Sequence, residues 1–301
     1  MCIICDGNYD VNMTLLDCSH CLLITSIPYL PLLTFLECYD CPLLTCIPNL
    51  PLLNSLNCSD CSSITCIKDI PSLTALWASE CPLLTCIQNL SLVTYLDCSE
   101  CSMLTCIQDL PSLTCLNCYE CSILTCIPDL PLLTNLSCHH CNLLIQIPNL
   151  PLLTQLSCSD CQFIKCIPHL PLLNYLSCWR CPLLKCIPRL PLLTILKCDK
   201  CPLITCIPYL PLLTQLICSN CMLLTCIGDL PKLTYLSCSD CPFLYLSYKM
   251  RLKFDKPLSK LINKIRFLQI KTKQNFKIKV SSIMLNNTVF YPVLINIITD
   301  Y

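Results

Sequence analysis

A twenty-residue unit recurs twelve times from Val11 to about Leu246, without an insertion or a deletion. One column of the aligned units is leucine throughout: Leu16, Leu36, Leu56, Leu76, Leu96, Leu116, Leu136, Leu156, Leu176, Leu196, Leu216 and Leu236. A second column is cysteine throughout, from Cys21 to Cys241 at every twentieth residue. A fixed period of this length is typical of solenoids, whose units bury their apolar side chains against neighbouring units. The repeat therefore predicts one elongated array, in which repeat 1 contains Leu16 and repeat 12 contains Leu236.

Each repeat contains one predicted strand. In repeat 5 the segment Tyr95–Cys98 alternates, so we expect Leu96 and Cys98 to face inward and Tyr95 and Asp97 to face outward. Strands of successive repeats would then pair in parallel at ~4.8 Å, and twelve of them would make a sheet ~55 Å long.

The rest of each repeat has no helical period. In the segment Leu43–Pro51, prolines at 48 and 51 exclude an α-helix and favour extended or polyproline II backbone. Twenty residues also leave no room for a full helix. The sequence therefore predicts an extended layer on the side of the solenoid opposite the sheet.

The repeat resembles the leucine-rich repeat. Val93, Leu96, Cys98, Cys101 and Met103 match its pattern L-x-x-L-x-L-x-x-N/C-x-L. The longer frame L-P-x-L-T-x-L-x-C-x-x-C-x-L-L-T-x-I-P is similar to the short, Leu-Pro-bearing class best known from bacterial effector proteins. This resemblance implies a curved β-rich solenoid with a parallel sheet on the concave face, an extended convex side and no repeat helices.

The chain departs from that class in two ways. Cysteine replaces the usual asparagine of the ladder position in all twelve repeats. Effectors that are ubiquitin ligases carry a large C-terminal catalytic domain with a cysteine nucleophile, whereas residues 248–301 contain no cysteine. We therefore do not transfer that activity. The Lys/Ile/Asn-rich tail and the near-identical repeats also resemble proteins of large DNA viruses of amoebae.

Charge divides the chain at the end of the repeats. Residues 1–247 carry 8 Lys+Arg and 17 Asp+Glu, a net of −9, whereas residues 248–301 carry 11 and 2, a net of +9. We therefore expect an N-terminal cap segment at 1–10, a leucine-rich repeat domain at 11–247 and a basic C-terminal cap or tail at 248–301. In the tail we expect a helix after Pro257 and then β segments. It would cap the last repeat or, alternatively, contact an acidic surface or membrane.

The composition is that of a folded protein of the cytoplasm. Apolar residues make up 54% of the chain and charged residues 13%, but polar residues and prolines interrupt the apolar runs before the ~18–20 residues that a membrane span needs. The segment Met1–Gly7 does not have the pattern of a secretory signal. We therefore expect no transmembrane segment and a cytoplasmic location, which would be the host cytoplasm for a viral protein.

The 35 cysteines fall mainly into three columns. The strand column runs from Cys18 to Cys238 with Ala78 as its gap, the ladder column from Cys21 to Cys241, and a third column, with gaps, from Cys46 to Cys226 on the return side. We interpret most of them as buried, reduced thiols, and expect the ladder thiols to donate to carbonyls of a neighbouring repeat in place of asparagine. The alternative is that stacked C-x-x-C pairs, such as Cys118/Cys121 with Cys138/Cys141, hold zinc or iron–sulfur clusters, or form disulfides or a redox array. We assign no metal and no cofactor.

The columns that flank the strand leucine vary between repeats, as a recognition surface would. Charge along this face is uneven. Its N-terminal half carries the acidic residues Asp17, Glu37, Asp40, Asp60, Glu80, Asp97, Glu100 and Glu120, and around repeats 8–10 it carries the basic residues Lys165, Arg180, Lys185, Arg189, Lys197 and Lys200. The predicted contact residues are Asp17, Phe35, Glu37, Trp77, Tyr95, Asp97, Tyr175, Trp179, Lys197 and Tyr235. A protein partner with a matching charge gradient fits this face, and nucleic acid is disfavoured because the array is net acidic.

No pattern in the sequence indicates catalysis. The four histidines are His20, His139, His140 and His169, and two glycines, Gly7 and Gly228, cannot form a glycine-rich phosphate loop. The leading hypothesis is a non-enzymatic protein-interaction scaffold. The alternatives are the thiol-rich metal or redox array and, third, a substrate adaptor of ubiquitin-type machinery.

Overall fold

The computed structural model describes residues 2–108 and 110–244. Twelve strands of three residues, one per repeat, form a single parallel sheet, which we call the front sheet. Its strands are Leu15–Asp17, Phe35–Glu37, Ser55–Asn57, Ala75–Trp77, Tyr95–Asp97, Cys115–Asn117, Asn135–Ser137, Gln155–Ser157, Tyr175–Ser177, Ile195–Lys197, Gln215–Ile217 and Tyr235–Ser237. Each strand pairs with its counterpart twenty residues away, for example Leu16 with Leu36 and Leu216 with Leu236. This register confirms the predicted parallel β-solenoid, and the described residues contain no helix.

The core is a stack of identical layers. In repeat 8 the residues Leu150, Leu153, Leu156, Cys158, Cys161, Ile164 and Ile167 are buried, and the same seven positions are buried in most other repeats. Each strand sends its central leucine into this core while its two neighbours face outward, as the alternation predicts. Every layer is covered by the layers on either side, so the burial is collective.

Two columns of threonine extend the hydrogen bonding between layers. Thr34 Oγ1 donates to the Thr14 carbonyl at 3.0 Å, and Thr114 Oγ1 to that of Thr94 at 2.9 Å, just before the strand. On the return side Thr85 Oγ1 donates to the Thr65 carbonyl at 3.0 Å. The short strands would otherwise offer few hydrogen bonds per repeat, which explains why threonine recurs at these positions.

The return layer is extended, as predicted, and in two places its backbone is also hydrogen-bonded into strands. Short parallel strands form there at Cys66–Lys68, Cys86–Gln88 and Cys106–Ile107, and again at Cys206–Ile207 and Cys226–Ile227. The reason is the residue after the isoleucine: where proline gives way to Gln108 or Gly228, the backbone N–H donates to Ile87 O at 3.0 Å or Ile207 O at 2.8 Å. Proline has no N–H, so most of the other repeats cannot make this bond.

The predictions for the tail, residues 248–301, lie outside the described residues. Within residues 2–108 and 110–244, nothing forms a helix with the length and apolarity required to cross a bilayer.

Candidate protein-binding face

The outward side chains of adjacent strands in the front sheet lie side by side. Because the strands are in register, Trp77 lies beside Asp97 on one side of the leucine column, and Asp17 lies beside Glu37. The rings of Trp77 and Tyr95 are in contact across the leucine column, with centroids 5.2 Å apart, and the Asn117 amide donates to the Tyr95 hydroxyl at 3.4 Å. Trp77 is 36% exposed, so this aromatic pair is fixed by neighbours but open to a partner.

The predicted contact residues near the other end form a second cluster. The Lys197 ammonium lies 5.5 Å from the centre of the Tyr175 ring, a cation–π distance. Trp179 is not on the sheet; it lies in the turn that follows the strand Tyr175–Ser177, where the Arg180 guanidinium is 5.0 Å from its ring centre. Phe35 lies on the strand of repeat 2, two repeats before Trp77, and Tyr235 lies on the last strand, 52% exposed.

The turn after each strand places many of the charged residues expected on this face in a single row. In this turn one residue per repeat has positive φ, between 54° and 60°. From His20 to Asn220 its backbone N–H donates to the next repeat, as from Glu100 to the Tyr119 carbonyl at 2.8 Å. We call these residues the turn ridge: His20, Asp40, Asp60, Glu80, Glu100, Glu120, His140, Asp160, Arg180, Lys200, Asn220 and Asp240. Five consecutive carboxylates therefore follow one another from repeat 2 to repeat 6. Asp60 and then Glu100 raise the pKa of Glu80 by charge repulsion.

The acidic run ends in an aromatic cluster at repeats 6–9. Tyr119 and His139 stack with ring centroids 4.6 Å apart, and His140 meets Trp179 edge-on at 6.5 Å. Burial, and then the neighbouring His140, lowers the pKa of His139, so its ring is neutral at neutral pH. Asp160 is 8% exposed and lies 3.7 Å from Arg180 and 3.6 Å from His140. The ridge thus changes from acidic to basic next to Trp179.

The ladder cysteines are structural hydrogen-bond donors. Eleven thiols, from Cys41 to Cys241, donate to the backbone carbonyl 23 residues earlier at 3.0–3.2 Å, for example Cys121 to Cys98 at 3.1 Å. Burial raises the pKa of Cys81 to about 12 and that of Cys58 well above its ordinary value. Cys81 is therefore a protonated donor. Because the ladder sulfurs are directed at backbone carbonyls, the proposed Cys₄ sites on stacked pairs are not favoured.

One group of cysteines at the N-terminus was not predicted from the sequence. Among the described residues, the sulfur atoms of Cys2, Cys5 and Cys21 lie within 4.8 Å of one another. These three side chains form a group that could hold a metal ion. The C-x-x-C spacing of Cys2 and Cys5 was visible outside the repeat, but their contact with Cys21 was not. The charge order of the turn ridge was predicted from the sequence, but the positive φ of its residues was not.

Two solved structures are similar to this chain at low identity. YopM from Yersinia enterocolitica WA-314 is 20% identical, with 74% of this chain and 68% of that chain covered and a TM-score of 0.36. A leucine-rich repeat protein from Bacteroides ovatus ATCC 8483 is 16% identical, with 70% and 74% covered and a TM-score of 0.38. No protein-family model and no curated protein matches the sequence. The described residues form a parallel β-solenoid of twenty-residue repeats.

Proposed function

We propose that this chain is a non-enzymatic scaffold that binds a protein partner through the outward face of the front sheet and the turn ridge beside it. We assign it to the short, effector-like class of leucine-rich repeats and to the cytoplasm, which is the host cytoplasm if its source is a virus. The observation that carries the proposal is the Trp77–Tyr95 pair, held 5.2 Å apart beside a continuous row of carboxylates.

Hot spots of protein–protein interfaces are built from aromatic side chains flanked by charged residues. Trp, Tyr and Arg dominate such sites because they combine a large contact area with a polar group. Here Trp77 and Tyr95 lie on the strands of repeats 4 and 5, whose ridge residues are Glu80 and Glu100, and Trp179 lies against Arg180. The partner we expect is therefore a protein with a basic region for repeats 2–6 and an acidic region for repeats 9 and 10, which would orient it along the solenoid.

The histidine and cysteine side chains count against an enzymatic function. His20 is hydrogen-bonded to Asp40 and Tyr39, and the buried thiols that carry raised pKa values are not nucleophiles at neutral pH. The thiol-array alternative has less support, because the ladder sulfurs donate to carbonyls instead of converging on a metal. No observation favours the ubiquitin-adaptor hypothesis.

Capture with a matched pair of variants tests the proposal. The variant Trp77→Ala/Tyr95→Ala/Tyr175→Ala removes three rings from the front sheet, whereas Tyr29→Ala/Tyr209→Ala removes two exposed rings from the return side. We expect partners recovered by the wild type and by the return-side variant to be lost from the triple variant. For an isolated partner, losing a hot-spot residue should cost about 2 kcal/mol, or roughly thirty-fold in Kd. Equal recovery by all three proteins would contradict binding through the front sheet.

A further inference from the structure

The N-terminal segment forms a turn that brings two thiols together. Backbone bonds run from Asp6 N to Cys2 O, from Gly7 N to Ile4 O and from Asn8 N to Ile3 O, each at 3.1 Å, and Gly7 adopts a φ of 69°. The turn brings Cys2 Sγ to 3.6 Å from Cys5 Sγ.

Cys21 completes the group from the first repeat. It occupies the ladder column, but its sulfur lies 3.5 Å from Cys5 Sγ, whereas the next ladder thiol, Cys41, donates to the Cys18 carbonyl at 3.2 Å. Cys21 therefore stands apart from the eleven ladder thiols that follow it, and the N-terminal turn occupies the place that a preceding repeat has elsewhere.

The sulfur–sulfur distances fit a metal centre. Three thiolates at a Zn–S distance of ~2.3 Å in a tetrahedral site are separated by about 3.8 Å, close to the 3.5 and 3.6 Å found here. The surroundings favour a cation as well: from Met1 to Ile67 the chain has six acidic residues, which are Asp6, Asp10, Asp17, Glu37, Asp40 and Asp60, and no Lys or Arg.

We propose that Cys2, Cys5 and Cys21 bind one soft, thiophilic d¹⁰ cation of the Zn²⁺ class and thereby fasten the N-terminal turn over the open end of the solenoid. Coordination replaces three S–H bonds by three metal–sulfur bonds and releases three protons to solvent, with no oxidation or reduction. The fourth position of the tetrahedron is left to solvent or another small ligand. This site differs from the stacked pairs of the array and acts as a staple between the N-terminal turn and the first repeat.

Zinc uptake by matched double variants tests the site. Reduced, metal-free, full-length protein is titrated with Zn²⁺ against a chromophoric chelator strong enough to mask isolated thiols. We expect one tight site in the wild type and in Cys126→Ser/Cys166→Ser, which removes two exposed thiols, and its loss in Cys2→Ser/Cys5→Ser. Equal uptake by the two double variants would overturn the proposal.

Two measurements on the wild type keep the test independent of how the variants fold. X-ray absorption at one equivalent of Zn²⁺ should show three sulfurs at ~2.3 Å and one lighter atom. Hydrogen exchange at the Asp6, Gly7 and Asn8 amides should slow on zinc addition. Four sulfur ligands, or exchange at these amides that zinc does not change, would place the metal elsewhere and refute the staple.

Discussion

Replacing Cys121 by alanine tests whether the ladder cysteines hold the layers together. Its side chain is fully buried, and its thiol donates to the Cys98 carbonyl at 3.1 Å, linking repeat 6 to repeat 5. The substitution removes the sulfur and leaves that carbonyl without the thiol donor.

The cost can be worked from three contributions. Losing one methylene-sized buried group costs ~0.8 kcal/mol in transfer free energy, and a hole of that size costs ~1 kcal/mol more. A buried carbonyl deprived of its partner adds about 1 kcal/mol or more, and the weakness of an S–H donor places it at the low end. The free energy of unfolding should therefore fall by about 3 kcal/mol.

Two other cysteines of the same repeat provide the comparison. Cys118→Ala reproduces at repeat 6 the natural gap at Ala78, whose carbonyl still accepts from Cys101 at 3.1 Å, so only the volume is lost and the cost should be about 1–2 kcal/mol. Cys126→Ala removes an exposed thiol and should stay within about 0.5 kcal/mol of the wild type.

Urea unfolding under reducing conditions, followed by circular dichroism, measures the three differences. Hydrogen exchange should also show the loss concentrated in repeats 5 and 6, because each repeat contacts only its neighbours. If Cys121→Ala proved no more destabilising than Cys126→Ala, the ladder thiols would not have the structural role that their geometry indicates.

Two further predictions concern the return side and the turn ridge. Gly228→Ala should lower the free energy of unfolding by about 1–3 kcal/mol, because a Cβ there would lie 2.8 Å from Pro208 C and Tyr209 N. Gln108→Ala, in the same column of the repeat, should change the free energy of unfolding little. Equal urea midpoints for the two variants would refute the clash. Glu80→Gln should raise Tm at neutral pH, because the pKa of Glu80 is raised and its ionisation therefore destabilises the fold as pH rises through that value. The gain should vanish below the ordinary glutamate pKa of about 4.3, and a gain independent of pH would contradict the repulsion from Asp60 and Glu100.

The period of the sequence was enough to predict most of the fold. A column spaced by twenty residues becomes a column of neighbours, so the pairing of Leu96 with Leu116 and the outward positions of Tyr95 and Asp97 follow directly. The contact of Trp77 with Tyr95 also follows, because it joins adjacent repeats.

Contacts that depend on backbone detail could not be predicted in the same way. The positive φ of Glu100 is unusual for a residue with a Cβ, and it arises because the turn must direct an N–H along the stack. The return strands depend on the repeats that lack proline in the column after the isoleucine, where Lys68, Gln88, Gln108 and Gly228 stand instead. A consensus of the twelve repeats hides these four departures. Cys5 and Cys21 are sixteen residues apart, so no column of the repeat aligns them.

The cysteines show how position in a repeat determines the chemistry of one side chain. In the ladder column a thiol needs one acceptor, whereas an asparagine would bring two donors and an acceptor to satisfy inside a twenty-residue coil. Cysteine is therefore the less demanding donor as long as the preceding layer supplies a carbonyl, as it does for Cys41 through to Cys241. Cys21 has two other thiols beside it instead, so the residue that links layers inside the array becomes a candidate metal ligand at its end.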